Sequence, residues 1–455
     1  MSRAARITIA VVLGLLGIAV AAAAVLAALG LRDGDPPPTG AAPAWAGVPV
    51  DASGPAPAGA DPAEALRARG AYLARAGNCA GCHTVRGQPE FSGGRPVPTP
   101  FGTLFSTNLT SDPTDGIGDW TADDFWRALH LGRSRDGRLL YPAFPYTDYT
   151  RTTREDADAI FAYLKSLPAA ARPNLPAQMR FPFDQRWLLA LWRGLYFRPG
   201  VYAPQTGRDD AWNRGAYLVQ GLGHCGACHT PRGWLGAPRS DQPMAGGRIP
   251  VLDWYAPGLG AMPAREAAEA GGAAKDPHAW VGLLQNGVAP GAVIVGPMAE
   301  VVRNSLQHLA PSDLRAISTY LQSLPPVPAE ASVVAARGTP VSTAVMERGG
   351  KLYADHCADC HGRDGGGAGT AYPRLAGNRA LTDEPAVNVI RIVLNGGFAP
   401  GTHGNPRPYG MPPFAPTFDD QQAADVISYV RNAWGNRGGA VQSYEVNRYR
   451  SAPPD

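Results

Sequence analysis

The 455-residue chain has room for about three domains of ordinary size, and its 45% hydrophobic content is enough for compact cores. A net charge of +3, only 17% charged residues and no long Lys/Arg run argue against a nucleic-acid partner. With 55 glycines and 45 prolines the composition stays short of low complexity, so domains rich in loops are expected.

From the N-terminus, the first predicted element is an apolar helix. Ile7 to Leu31 carries no charge; Arg3 and Arg6 precede it, and Arg32 and Asp33 follow. A secretory signal has an apolar core of ~7–15 residues, whereas a bilayer span needs ~20. The length therefore favours an uncleaved transmembrane helix within an anchor segment, residues 1–34. The two arginines hold the N-terminus in the cytoplasm and place the rest on the periplasmic face of the inner membrane. A long signal peptide cut in the Ala-rich stretch is the competing reading, and it exports the same residues. Residues 35–60, rich in Pro, Gly and Ala, read as a flexible tether.

Beyond the tether, Cys-x-x-Cys-His occurs three times: Cys79-Cys82-His83, Cys225-Cys228-His229 and Cys357-Cys360-His361. These motifs use all six cysteines. Two thiols three residues apart lie on one side of a short helix and can form thioethers with the vinyl groups of a porphyrin. The next residue, histidine, is then carried to the iron. A redox dithiol has no need of that histidine, and a structural zinc site needs a second ligand pair nearby, yet more than a hundred residues separate successive motifs. Plain disulfides would tolerate other spacings. Three covalently attached c-type haems are the expected cofactors.

Each motif heads a unit of the same layout. An Arg-Gly-x-x-Leu helix comes first, at Arg69-Gly70, Arg214-Gly215 and Arg348-Gly349. A helix with a period near 3.6 comes last: Glu155 to Leu167, Ser312 to Leu324 and Gln421 to Trp434. Thr152 before Glu155 and Asp419 before Gln422 have capping-box spacing. The order of helix, motif, Gly/Pro-rich loop and helix resembles a class I cytochrome c domain. The expected fold is mainly α, with three tandem domains of this kind at residues 61–172, 205–328 and 340–437 after the N-terminal transmembrane helix. Residues 173–204 form an aromatic linker and 438–455 a C-terminal tail. Within the linker, Phe181 to Phe197 reads either as a packed helix or as a surface for the membrane or a partner subunit.

A haem of this type takes methionine or histidine as its sixth ligand. Met298, in Gly-Pro-Met-Ala-Glu, and Met411, in Tyr-Gly-Met-Pro-Pro, fall at the same place in the second and third units. Met244 and Met262 are fallback candidates in the second. In the first unit the matching segment, Tyr141-Pro142-Ala143-Phe144-Pro145-Tyr146, has phenylalanine there. Met179, His130 or no protein ligand at all remain open for that haem. His224 and His356, each just before the first cysteine of its motif, read as contacts of the haem environment rather than metal ligands, and His278, His308 and His403 have no partner spacing. No catalytic triad, paired-carboxylate site or nucleotide-binding loop is present.

The stretches Trp212 to Leu218, Gly221 to Arg232, Gly296 to Val302 and Leu394 to Phe414 resemble the tri-haem cytochrome c subunits of bacterial membrane-bound dehydrogenases, and the likeness runs from about Ala65 to the end. The resemblance implies proximal ligation by His83, His229 and His361 and distal ligation by Met298 and Met411. It implies a separate catalytic dehydrogenase subunit, dependent on pyrroloquinoline quinone, flavin or molybdopterin, as electron donor. Ubiquinone in the membrane, or sometimes a terminal oxidase, is the implied acceptor. An electron-transfer subunit without a substrate site of its own is the leading functional reading. The alternatives are a haem enzyme or gas-binding protein acting through an open first haem, and a free-standing periplasmic electron carrier.

Overall fold

The computed structural model describes residues 3–33, 61–260, 277–325, 340–382 and 384–450. The chain divides into two compact units. One comprises the described residues of 1–42, 61–73 and 82–204; the other comprises 74–81 and the described residues of 205–455.

In the first unit, α1 (Arg3–Gly30) is long and apolar enough to cross a bilayer, with a mean hydropathy of 2.7 over Val11–Gly30. Next in the chain come α2 (Pro62–Ala76) and the motif helix α3 (Cys79–His83), of which residues 74–76 and 79–81 are counted with the second unit. The hairpin of β1 (Pro96–Thr99) and β2 (Gly102–Phe105) leads to α4 (Ala122–Leu131), the short α5 (Tyr146–Tyr149) and α6 (Arg154–Ser166). The predicted linker is structured: β3 (Gln178–Met179) pairs with β2, setting Met179 opposite Gly102, and α7 (Leu188–Tyr196) packs on α1.

The second unit repeats the layout twice. Its first half contains α8 (Asp210–Gln220), the motif helix α9 (Gly226–His229), and the hairpin β4 (Gly247–Ile249) and β5 (Trp254–Ala256). It continues with α10 (Pro277–Asn286), the hairpin β6 (Val288–Ala289) and β7 (Ala292–Val293), α11 (Pro297–Asn304) and α12 (Pro311–Gln322). The other half contains α13 (Thr343–His356), the motif helix α14 (Ala358–His361), α15 (Arg379–Thr382), α16 (Val387–Asn395), β8 (Gly397–Phe398), β9 (Gly410–Met411) and α17 (Asp420–Asn432). Residues 443–450, read from sequence as part of a tail, form α18 (Ser443–Arg450). It docks on α17 by burying Val446 and Tyr449.

The Arg-Gly motif is explained by how the first and last helices of each repeat cross. A Cβ on Gly70, Gly215 or Gly349 would overlap the backbone carbonyl of Ala159, Ala316 or Asp425 on the partner helix, so glycine permits the backbones to touch. The preceding arginine reaches an aspartate on the same partner. Arg69 Nε meets Asp156 at 2.9 Å, Arg214 grips Asp313 through two 2.8 Å bonds, and Arg348 Nε meets Asp425 at 2.6 Å. The pairs differ in worth: Arg214 and Asp313 are both buried, whereas Arg348 is about half exposed. Asp313→Ala, which leaves a buried guanidinium unpaired, is expected to cost about 3–5 kcal/mol, against under about 2 kcal/mol for Asp425→Ala, read by denaturant unfolding.

Asp419 caps α17 in a full capping box with Gln422, as its spacing predicted. The cap of α6 is Thr153 rather than Thr152. The helix starts one residue earlier than expected, at Arg154, and the Thr153 side chain accepts from the Asp156 amide.

The two halves of the second unit are joined by backbone and side-chain bonds. Asn388 on α16 both accepts from the Tyr255 amide (2.9 Å) and donates to the Tyr255 carbonyl (2.7 Å). Gly291, at the tip of the β6–β7 hairpin, donates to Gly369 (3.1 Å) and accepts from Arg374 (3.2 Å).

Candidate haem-binding sites

The three motifs are built alike. In each, the first cysteine is half-buried and the second exposed, and none of the six is in a disulfide. Each histidine donates its Nδ1–H to a backbone carbonyl on the following loop: His83 to Thr107 (2.7 Å), His229 to Pro257 (2.7 Å) and His361 to Pro373 (3.0 Å). A carbonyl can only accept, so this bond fixes the proton on Nδ1 and leaves the Nε2 lone pair for a metal. Burial pushes all three imidazole pKa values down, and the carbonyl bond offsets part of that, which keeps the rings neutral as ligation requires.

A second feature recurs that sequence reasoning missed. The carbonyl of each motif histidine accepts from a glycine amide: Gly93 (2.8 Å), Gly246 (2.8 Å) and Gly367 (2.9 Å). All three glycines have positive φ, at 73°, 90° and 67°, a conformation that disfavours any side chain. The legible signal was a Gly-Gly pair downstream of every motif: Gly93-Gly94, Gly246-Gly247 and Gly366-Gly367.

On the loop before each terminal helix, the structure aligns the candidate sixth ligands. Leu140 donates to Gly132 and Ile294 to Gly287, both at 2.8 Å, and these glycines close α4 and α10 with φ of 58° and 74°. Phe144 and Met298 each lie four residues further on, so phenylalanine does occupy the place of the methionine. Met298 is the second residue of α11, and Met411 sits in β9 opposite Gly397. Both are half-buried.

The other candidates fall elsewhere. Met244 is on the loop beneath His229: its amide donates to Thr230 Oγ1 at 3.0 Å, two residues before Gly246. Met179 is held in the sheet whose middle strand, β2, runs on to Thr107, the residue that braces His83. Met262 lies outside the described residues. His130 is enclosed by protein at 2% exposure. It stacks on Trp126 (4.4 Å between centroids) and bonds through Nδ1 to the Thr150 carbonyl at 2.9 Å. Its Nε2 finds no hydrogen-bond partner among the described residues. Leu394 fills the matching place in the third repeat as a fully buried core residue.

A cytochrome c family model matches residues 67–168 and 346–434. The cytochrome c subunit of the quinone-dependent alcohol dehydrogenase of Gluconacetobacter polyoxogenes is 36% identical over 418 residues, which is 86% of this chain and 85% of that protein. The gluconate 2-dehydrogenase cytochrome c subunit of Pantoea cypripedii is 39% identical over 83% of this chain and 88% of its own length. The fructose dehydrogenase cytochrome subunit of Gluconobacter japonicus is 35% identical over 86% of this chain and 84% of its own length. Paired thiols, a neutral histidine and these relatives agree: the chain belongs to the cytochrome c family, among the cytochrome c subunits of bacterial dehydrogenases.

Proposed function

We propose that this chain receives electrons from a catalytic dehydrogenase subunit and passes them through three covalently bound c-type haems to ubiquinone or the respiratory chain. Haem iron, when bound, supplies the one-electron couple. In this reading, Cys79 and Cys82, Cys225 and Cys228, and Cys357 and Cys360 hold the three porphyrins. His83, His229 and His361 are the proximal ligands, and Met298 and Met411 the distal ones. Residues 61–172, 205–328 and 340–437 are the three class I domains, and α1 anchors them on the periplasmic face of the inner membrane. The observation that carries the reading is the threefold recurrence of a cysteine pair followed by a histidine whose Nδ1 is bound to a loop carbonyl.

The test uses the chain purified with its associated large subunit. Intact mass should show three added haems. A primary substrate of that subunit, with alcohols, gluconate and fructose tried first in view of the relatives, should reduce the haems. No associated dehydrogenase and no substrate that reduces them would overturn the proposal.

The first haem is the exception. We infer that its sixth position is open, a reading supported by Phe144 in the methionine's place, by the burial of His130 and by the pairing of Met179 with Gly102 in the sheet. The reduced protein is expected to bind carbon monoxide at one haem in three, and Met179→Leu should leave the spectrum unchanged. Three low-spin haems that all refuse carbon monoxide would refute this assignment.

A further inference from the structure

Helix α7 is not used by the electron-transfer reading, yet the fold goes to some length to place it. Its backbone touches that of α1: a Cβ on Gly30 would overlap the Ala190 carbonyl, and one on Gly194 the Leu26 carbonyl. Arg193 lies fully buried beside this crossing. Its Nε donates to the Gly30 carbonyl (2.7 Å) and its Nη1 to the Leu131 carbonyl (2.5 Å), the last residues of α1 and α4. Its guanidinium also sits over the rings of Phe197 (4.7 Å) and Tyr146 (5.3 Å). A cation at two helix C-termini has the favourable sign for both dipoles. Arg133 adds an ion pair to Asp33 (2.8 Å) and a bond to the Leu31 carbonyl. The end of α1 is thus built into the fold of the first unit, which a segment destined for removal has no reason to be.

The opposite side of α7 faces outward. Trp187 is 65% exposed and Leu195 47%, and Leu188 and Leu191 continue the same stripe half-exposed at helical spacing. The helix contains no acidic residue, and Arg186 and Arg198 flank it. Exposed apolar side chains of α1, from Ile9 to Val25, lead up to the same place. An apolar stripe with tryptophan at its edge and arginine at its ends has the chemistry of the lipid–water boundary.

We propose that α1 is retained and that α7 is an interfacial helix, its stripe from Trp187 to Leu195 resting among acyl chains beside α1. The domain of the first haem is then seated directly on the bilayer. This rests on the reading of α1 as membrane-spanning.

The full haem-loaded chain, reconstituted in nanodiscs of phosphatidylethanolamine and phosphatidylglycerol with a diazirine-bearing acyl chain, tests it by photolabelling and peptide mapping. Adducts are expected on α1 and on residues 187–195, while the exposed Trp234 and Phe398 stay clean. Leu191→Glu with Leu195→Glu should lose the 187–195 adducts and keep those on α1, with three haems still present. Three outcomes would overturn the proposal: adducts on α1 alone, a mature N-terminus beyond Gly30, or adducts on α7 that vanish when the dehydrogenase subunit is bound. The last would make the stripe a protein interface. Haem reduction by substrate in the same preparation reports separately on the electron-transfer reading.

Discussion

Met298→Leu is expected to lower the potential of the second haem by more than about 100 mV while the other two stay where they are, because a thioether ligand raises the potential of a histidine-ligated haem. The loop that presents Met298 is fixed by glycine at both ends. Gly287 closes α10 at φ 74°, and Gly296 at φ 62° lies so close to the Trp254 ring that a Cβ would clash with it. Leucine nearly matches methionine in volume, so the loop should keep its shape and the fold should lose less than about 1.5 kcal/mol. A drop of 100 mV in a one-electron couple is about 2.3 kcal/mol, large beside that cost. Spectrally resolved redox titration reads it. A potential unchanged in Met298→Leu would remove Met298 from the iron, and Met411→Leu is the matching experiment for the third haem.

Gly215→Val should abolish the second repeat rather than tune it. Its Cβ would overlap the Ala316 carbonyl where α8 crosses α12, and the branched side chain would meet Tyr320 as well. Overpacking of this kind costs on the order of 3 kcal/mol or more, a large share of the ~5–15 kcal/mol that holds a domain together. Separating the helices also pulls Arg214 away from Asp313 and leaves both buried charges unpaired. The expected product has two haems per chain and is cut by protease between residues 205 and 325, with the third haem still attached. A variant with three haems and unchanged protease resistance would show that the crossing tolerates a side chain.

Some of this architecture was open to reading in the sequence, and the reason differs from feature to feature. The motifs were legible because covalent attachment demands particular side chains at fixed spacing. The terminal helices were legible because each buries one face, and their observed ends fall within a residue or two of the periodic runs. The carbonyls of Thr107, Pro257 and Pro373 were not legible, since every residue offers a carbonyl and only the path of the loop decides which one meets the histidine. Met298 was preferred to Met244 from sequence because it shares its place in the repeat with Met411; that the Met244 amide is tied to Thr230, next to the proximal histidine, could not be read there. Arg193 was one more arginine in an aromatic stretch until two helix ends were seen to converge on it.

The bonds that join the two halves of the second unit bear on how electrons would move between their haems. Tunnelling falls off steeply with distance, so two carriers on hinged domains exchange electrons only when thermal motion brings them together, and solvent viscosity then sets the pace. Here Gly291, on the hairpin leading to Met298, is bonded to Arg374, the residue after the carbonyl that braces His361. Tyr255, two residues before the carbonyl that braces His229, is bonded twice to Asn388. With haems bound as proposed, these bonds would tie the loops that hold the second and third carriers to each other, and electron exchange between those carriers is then expected to be insensitive to solvent viscosity.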